Sequence, residues 1–401
     1  MSKTKLLFVI QALGAGGAEK ALISLLNYID YDKYEVDLQL FYKAGINLKF
    51  VPDAVNVLPP LIGEEVVSGK AKLKKDIKDM RFAYLLRKSW YLFLSRFVFK
   101  HKDRQGVVLK WKSEIPDMKN KNKKHYDVAM GYMQGPPTYY VSDCIDADKK
   151  LCWFHIECSE KIKCDMESEY FKKFDKVLTI SPVCVDALKR FYPELDNVEL
   201  VYNMNCPKLI KGLSEEFIPE EFKEIKETKI VSIGRLCYQK GFDIAIDAAK
   251  ILKDDGYKFK WLVLGRGKDK EALDKKIKEH NLCNEFSLLG IRENPYVYMK
   301  NADIVLQTSR YEGKSIVLDE AKILEKPIVC TKYNSVTDQL CDNVNAVLTP
   351  ITAEGIAEGI KKMIDDENLK NNLVKNLSES NMNEIKFEND VLSSHYKLFE
   401  V

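Results

Sequence analysis

Short apolar runs alternate with amphipathic stretches along this chain, which is the pattern of parallel β/α units. Lys5–Ile10 reads as a buried first strand. A glycine turn follows, then Ala18, Ala21, Leu22, Leu25 and Leu26 at helical spacing. Further strands are predicted at Val36–Phe41, Asp127–Gly131, Lys150–Phe154, Lys176–Ile180 and Val198–Val201. The pattern lapses from Asn203 to Glu227, where Pro207, Pro219 and many acidic residues intervene, so a domain boundary is expected there. It restarts with Lys229–Ile233, Lys260–Leu264, Glu285–Leu288, Asp303–Gln307, Pro327–Cys330 and Ala346–Leu348. The expected fold class is α/β, with two Rossmann-like doubly wound domains facing across a cleft. Residues 1–205 form the first domain, 206–228 a linker and 229–380 the second. Ligands of such sheets bind at the carboxyl ends of the strands, so the loops after each strand are the places to search.

Composition agrees with this. The 401 residues suit two or three domains, and 46% hydrophobic with 31% charged residues is a globular balance. The net charge of +3 hides a local imbalance. Residues Lys70–Lys124 hold 18 Lys and Arg against 5 Asp and Glu, a local +13, which leaves −10 for the rest. That block points to an anionic partner. The ten cysteines are scattered, without a C-x-x-C pair, and read as reduced thiols. No apolar leader opens the sequence and no run is long and apolar enough to span a membrane, so a cytoplasmic location is expected.

Five constellations could carry chemistry. Gly14-Ala15-Gly16-Gly17-Ala18-Glu19 follows the first strand, where glycines let backbone approach a ligand. Glu19 stands where a dinucleotide fingerprint needs glycine, and Tyr42-Lys43 replace its ribose-binding acid, so a nicotinamide site is disfavoured. A tight turn without a ligand also fits. Gly234-Arg235-Leu236 with Gln239-Lys240-Gly241 sets two cations at a strand end, suited to a diphosphate. Two surface cations in a lysine-rich chain explain it as simply. Gly265-Arg266-Gly267 follows the next strand and fits a nucleotide or a plain turn. Ser309-Arg310-Tyr311-Glu312-Gly313-Lys314-Ser315 runs into a helix containing Glu320. Its two carboxylates suit sugar hydroxyls, Ser315 is expected to cap the helix, and the amides of Gly313, Lys314 and Ser315 are expected to point at one site. His155 closes a predicted strand. No metal site is expected: Asp30-Tyr31-Asp32 and Asp146-Ala147-Asp148 are acid-x-acid triplets of a kind that chance supplies, and no His/Cys cluster has zinc spacing.

Taken in order, these strings resemble the family-four glycosyltransferases, retaining enzymes of the GT-B double-Rossmann architecture. Glu312 and Glu320, with seven residues between, are similar to the family's E-x7-E motif, and Lys326-Pro327 follows as usual. The resemblance implies that Arg235 and Lys240 bind the donor diphosphate, Glu312 the sugar and Glu320 the ribose hydroxyls. It further implies a donor site lined by Gly16, Gly17, Gly265, Arg266, Gly313, Lys314 and Ser315. His155 matches the histidine near the transferred sugar, and Asn203 the asparagine closing the first domain. A last helix over 381–401 would return to the first domain. Uridine diphosphate is the expected nucleotide, no metal cofactor is required, and retention needs no covalent nucleophile. Two departures leave the sugar open: Lys314 replaces a bulky apolar residue, and Tyr333-Asn334-Ser335 replaces a glycine-rich turn.

The basic block adds a membrane question. Phe82, Leu85, Leu86, Trp90, Phe93, Leu94 and Phe97 recur at helical spacing among Arg81, Arg87, Lys88, Arg96 and Lys100. Such a helix could lie peripherally on the inner face of the cell membrane, against anionic lipid, and meet a glycan or lipid-linked acceptor. It could equally pack into the first domain's core. No nucleic-acid motif accompanies the charge. A nucleotide-sugar epimerase, a phosphorylase and a non-catalytic glycan- or nucleotide-binding protein are the rival functions.

Overall fold

The computed structural model describes residues 3–62, 86, 89, 90, 93, 104–119, 121–160 and 163–400. Most of the apolar stripe expected over 82–97, and of the basic block up to residue 103, lies outside the described residues. The chain divides into two compact units, Met1–Met204 with Val391–Val401, and Asn205–Asp390.

The first unit is built on a seven-stranded sheet of order β3-β2-β1-β4-β5-β6-β7. The strands are β1 (Thr4–Ile10), β2 (Tyr34–Leu40), β3 (Asn56–Val57), β4 (His125–Gly131), β5 (Asp146–Phe154), β6 (Lys176–Thr179) and β7 (Val198–Leu200). Every pairing is parallel. The last five residues of β1 and of β2 are buried, as a sheet covered by helices on both faces requires. The sequence places β5 at its last five residues only. Its first four residues, Asp146–Lys149, are mostly charged and pair with β4 all the same.

In the second unit the sheet order is β10-β9-β8-β11-β12-β13. Its strands are β8 (Thr228–Ile233), β9 (Phe259–Leu264), β10 (Phe286–Gly290), β11 (Ile304–Gln307), β12 (Ile328–Thr331) and β13 (Val347–Thr349), again parallel throughout. Residues 206–228, read above as a linker, contain the helix Pro207–Ser214 and a single turn at Glu220–Phe222, and belong to this unit. Pro207 sits at the start of that helix, where its missing N–H costs nothing.

Both sheets are doubly wound, as expected. Strand order reverses between β1 and β4 in one and between β8 and β11 in the other, which are the switch points where such sheets bind ligands. The loops leaving β1, β8 and β11 carry three of the glycine-rich and acidic strings.

The long helix Glu367–Phe399 starts in the second unit, and its residues from Val391 onward group with the first. There Phe399 lies edge-on to Phe8 and Tyr34, and Tyr396 stacks on Tyr34 at 5.6 Å. Burying a ring of this size contributes about 1.5–3 kcal/mol, enough to fix the helix end.

The described end of the basic block is not a free charged surface. Helix Arg104–Met118 buries Val108, Trp111 and Met118 in the first unit's core. Arg104 forks onto Glu167 at 2.8 and 2.7 Å. Lys124 bonds Glu35 at 2.7 Å and Asp37 at 3.0 Å. By contrast Leu86 is 73% exposed, Trp90 63% and Phe93 50%. Core packing therefore fails at those three positions.

Candidate active site

In the second unit, β8 ends at Ile233 and the chain turns through Gly234-Arg235-Leu236 into a single turn at Tyr238–Lys240. Gly241 then starts the helix Phe242–Asp254 with φ 65°, and a Cβ there would run into the Thr308 carbonyl. Only glycine permits both the left-handed backbone and this approach of the β8 loop to the β11 loop. Gly265, at φ 148°, lies against the Gly234 carbonyl in the same manner. Three loops are thus laced together by backbone. Leu236 N donates to the Arg266 carbonyl at 3.1 Å, and Arg310 N to the Gln239 carbonyl at 2.8 Å.

This lacing brings Lys240 and Glu312 together. Lys240 Nζ lies 2.5 Å from Glu312 Oε1, and both side chains are largely buried. Ser309 Oγ donates to the same oxygen at 2.6 Å, and Gln239 Nε2 to Oε2 at 3.2 Å. The Glu312 carbonyl accepts from Ser335 Oγ at 2.7 Å, which gives the unusual Tyr333-Asn334-Ser335 turn a task. Arg310 is engaged within the protein. It forks onto Asp243 at 2.9 and 2.7 Å and lies 4.0 Å from the centre of the Tyr238 ring, clamping the turn that carries Lys240. Arg235 is exposed, with no ion pair or hydrogen bond among the described residues, and Arg266 is exposed beside it in the laced loops.

Glu320 lies inside helix Ile316–Ile323 and is 1% exposed. Its Oε1 accepts from the Tyr296 hydroxyl at 3.0 Å. Burial first, then the Glu320 charge, push the Tyr296 phenol well above its ordinary value, so it stays a donor. Tyr296 was not legible as a site residue, because its link to Glu320 spans 24 residues and depends on packing.

Ser315 differs from expectation. It occupies the cap position, but its hydroxyl donates to Gln307 Oε1 at 2.5 Å rather than capping the helix. Its amide donates to Gln339 Oε1 at 2.7 Å and is not offered to a ligand. Lys314 does not project into solvent either. Its Nζ lies 3.5 Å from Asp319 Oδ2. Burial would raise the Asp319 carboxyl, but Lys314, then Lys322, and the bonds from Gln339 and Asn205 hold it below its usual value.

In the first unit, Gly16 precedes helix Gly17–Leu26, and the Glu19 carboxylate folds back over Gly16. His155 follows β5 directly and takes its backbone bond to Gln134 Oε1 at 3.2 Å. Trp153 lies between His155 and His395, ring centres 5.5 and 5.3 Å away, with Tyr132 alongside. Both ring nitrogens of His155, Nε2 of His395, the Trp153 indole nitrogen and the Tyr132 hydroxyl are buried without a hydrogen-bond partner among the described residues. The buried carboxamide oxygen of Asn203 has none either. Burial depresses His155 to about 3 and His395 to about 4, the latter partly offset by the Val391 carbonyl.

These folded values lie below the ordinary histidine value of about 6.5, so the unfolded chain takes up the protons first. The neutral imidazoles contribute stability in full above about 6.5, and it is lost as pH falls toward 4 and then 3. Thermal unfolding from pH 7 to 4 is expected to show a shallower fall in Tm for His395→Phe than for the parent. Equal slopes would contradict this.

Of the acid triplets, Asp30 pairs with Lys33, while Asp146 and Asp148 flank His125 at 3.0 and 3.3 Å. Among the described residues no group of three or more His, Cys, Asp or Glu side chains is placed for a metal ion.

Residues 214–379 match the family model of the glycosyl transferases group 1, a span that contains the Arg235, Lys240, Glu312 and Glu320 loops. This chain is a glycosyltransferase that carries a group 1 domain. It is 26% identical to the N-acetylgalactosamine-N,N'-diacetylbacillosaminyl-diphospho-undecaprenol 4-alpha-N-acetylgalactosaminyltransferase of Campylobacter jejuni, over 91% of this chain and 92% of that one. Among solved structures, it shares its fold with a Rickettsia africae glycosyltransferase, with a TM-score of 0.65 and 13% identity over 100% of this chain and 98% of that one. It also shares it with Anabaena HepE in complex with UDP and glucose, with a TM-score of 0.63 and 17% identity over 98% and 100%. The glycosyltransferase thus has the GT-B fold expected from its motifs, and the epimerase, phosphorylase and non-catalytic readings fall away.

Proposed function

We propose that this glycosyltransferase moves a hexose-type sugar from a UDP-sugar, with retention of configuration, to a glycan or lipid-linked acceptor in cell-surface polysaccharide synthesis. The Lys240–Glu312 pair at the β8/β11 switch point, with Arg235 unpartnered among the described residues, supports this reading above all. Lys240 and Arg235 offer a point charge and a fork for the two phosphates of the donor. The leaving diphosphate is then stabilised electrostatically. Glu312 would accept from sugar hydroxyls, and Glu320, steadied by Tyr296, from the ribose. Gly265, Arg266 and the Gly313–Ser315 segment would complete the donor-binding surface of the second unit. The Campylobacter relative's name describes transfer onto a diphospho-undecaprenol-linked sugar, and the HepE structure contains UDP, which supports the acceptor and nucleotide classes. Calorimetric titration with a panel of nucleoside diphosphates is expected to single out UDP. Stronger binding of GDP or ADP would contradict that part.

The exposed Leu86, Trp90 and Phe93, spaced four and three residues apart among lysines and arginines, support a peripheral seat on anionic membrane at the inner face. No helix among the described residues is long and apolar enough to cross a membrane. Flotation is expected to carry the protein with vesicles containing anionic lipid and not with neutral ones. Absence from the anionic vesicles would end this part of the proposal.

A further inference from the structure

We propose that Asp319 is a positioning residue for the donor loop, holding residues 314 and 315 through Lys314 and Gln339, and that donor affinity depends on it. The proposal rests on the donor-site reading above. Asp319 lies in the first turn of helix Ile316–Ile323 and is 6% exposed. A carboxylate there loses its hydration, and an apolar side chain of similar size would stabilise the helix as well or better. Its partners instead bind the loop. Gln339 Nε2 donates to Asp319 Oδ1 at 2.9 Å and to the Ser315 carbonyl at 2.8 Å, while Gln339 Oε1 accepts from Ser315 N at 2.7 Å. Asp319 reinforces this orientation of the Gln339 amide, which grips Ser315 by both its N–H and its carbonyl. The other carboxylate oxygen draws Lys314 inward at 3.5 Å and accepts from Asn205 Nδ2 at 3.3 Å. Lys322 lies 3.8 Å from Oδ1.

One carboxylate thus controls both residues that follow Gly313, in the segment between Glu312 and the Glu320 helix. With Lys314 held inward, the loop presents its backbone rather than a mobile cation. Asp319→Asn keeps the shape and removes the charge. The Lys314 ammonium would then lose its counter-charge, and the Gln339 amide would lose its charge-assisted bond.

The test combines amide hydrogen exchange of the ligand-free protein with UDP calorimetry. Asp319→Asn is expected to unfold cooperatively, to exchange faster over residues 313–316 and to bind UDP roughly tenfold more weakly, as loss of a charge-assisted bond implies. Adding Lys314→Met should recover most of the affinity, which a general loss of stability would not allow. Gln339→Met, which keeps Asp319, should raise exchange over the same residues. It serves in place of Asp319→Asn if that variant does not fold. Unchanged exchange and affinity in both variants overturn the proposal alone. Failure of the parent protein to bind any nucleoside diphosphate overturns the donor-site reading, and this proposal with it.

Discussion

Turnover in the Arg235→Ala/Lys240→Ala double variant is expected to fall by about a thousandfold while the protein still folds, because on the proposed reading each cation would stabilise the extra charge that builds on the leaving diphosphate. Removing one such preorganised donor typically costs about a hundredfold to a thousandfold in rate. The fold is expected to survive for reasons visible in the site. Arg235 is exposed and has no partner among the described residues, so its removal leaves nothing unsatisfied. Lys240→Ala leaves the buried Glu312 without its cation and is expected to lower Tm, but Glu312 keeps bonds from Ser309 and Gln239, so the site holds its shape. Turnover is read as UDP released together with a glycosylated product. Near-normal transfer by a folded double variant would remove the diphosphate role from these residues.

Stability is most sensitive in the first unit, at Arg104. Its guanidinium grips Glu167, which is fully buried and also accepts from the Tyr139 hydroxyl. Arg104→Met strands that carboxylate in the core and is expected to cost about 3–5 kcal/mol in urea unfolding, whereas the paired Arg104→Met/Glu167→Leu change is expected to cost much less. A loss below about 1 kcal/mol for the single variant would contradict the clamp. Arg104 belongs to the same basic stretch whose charge pointed to an anionic partner. Composition counts a buried structural cation and a free one alike, so charge density alone overstated the free surface.

What the sequence disclosed, and what it hid, divides by range. The strands and glycine turns were legible because their causes are local: apolar runs for strands, and a left-handed or crowded backbone at Gly241 and Gly265. Glu312 and Glu320 were legible as a spaced pair on a strand-end loop and the helix after it. Their partners were not. Tyr296 lies 24 residues before Glu320, and Gln339 lies 24 after Ser315, so each meeting depends on how helices settle on the sheet. Ser315 had the right residue type and place for a cap, but Gln307 and Gln339 bind its hydroxyl and amide more directly than the helix end does. The charged half of β5 was missed because its burial pattern is mixed where the strand begins, while its backbone pairing is regular.

The central claim is that the donor nucleotide binds at the β8/β11 switch point of the second unit. A crystal structure of the UDP complex tests it most directly. The expected result is a diphosphate within hydrogen-bonding distance of Arg235 and Lys240, with the ribose hydroxyls on Glu320. A nucleotide bound away from residues 234–241 and 308–320 would contradict it.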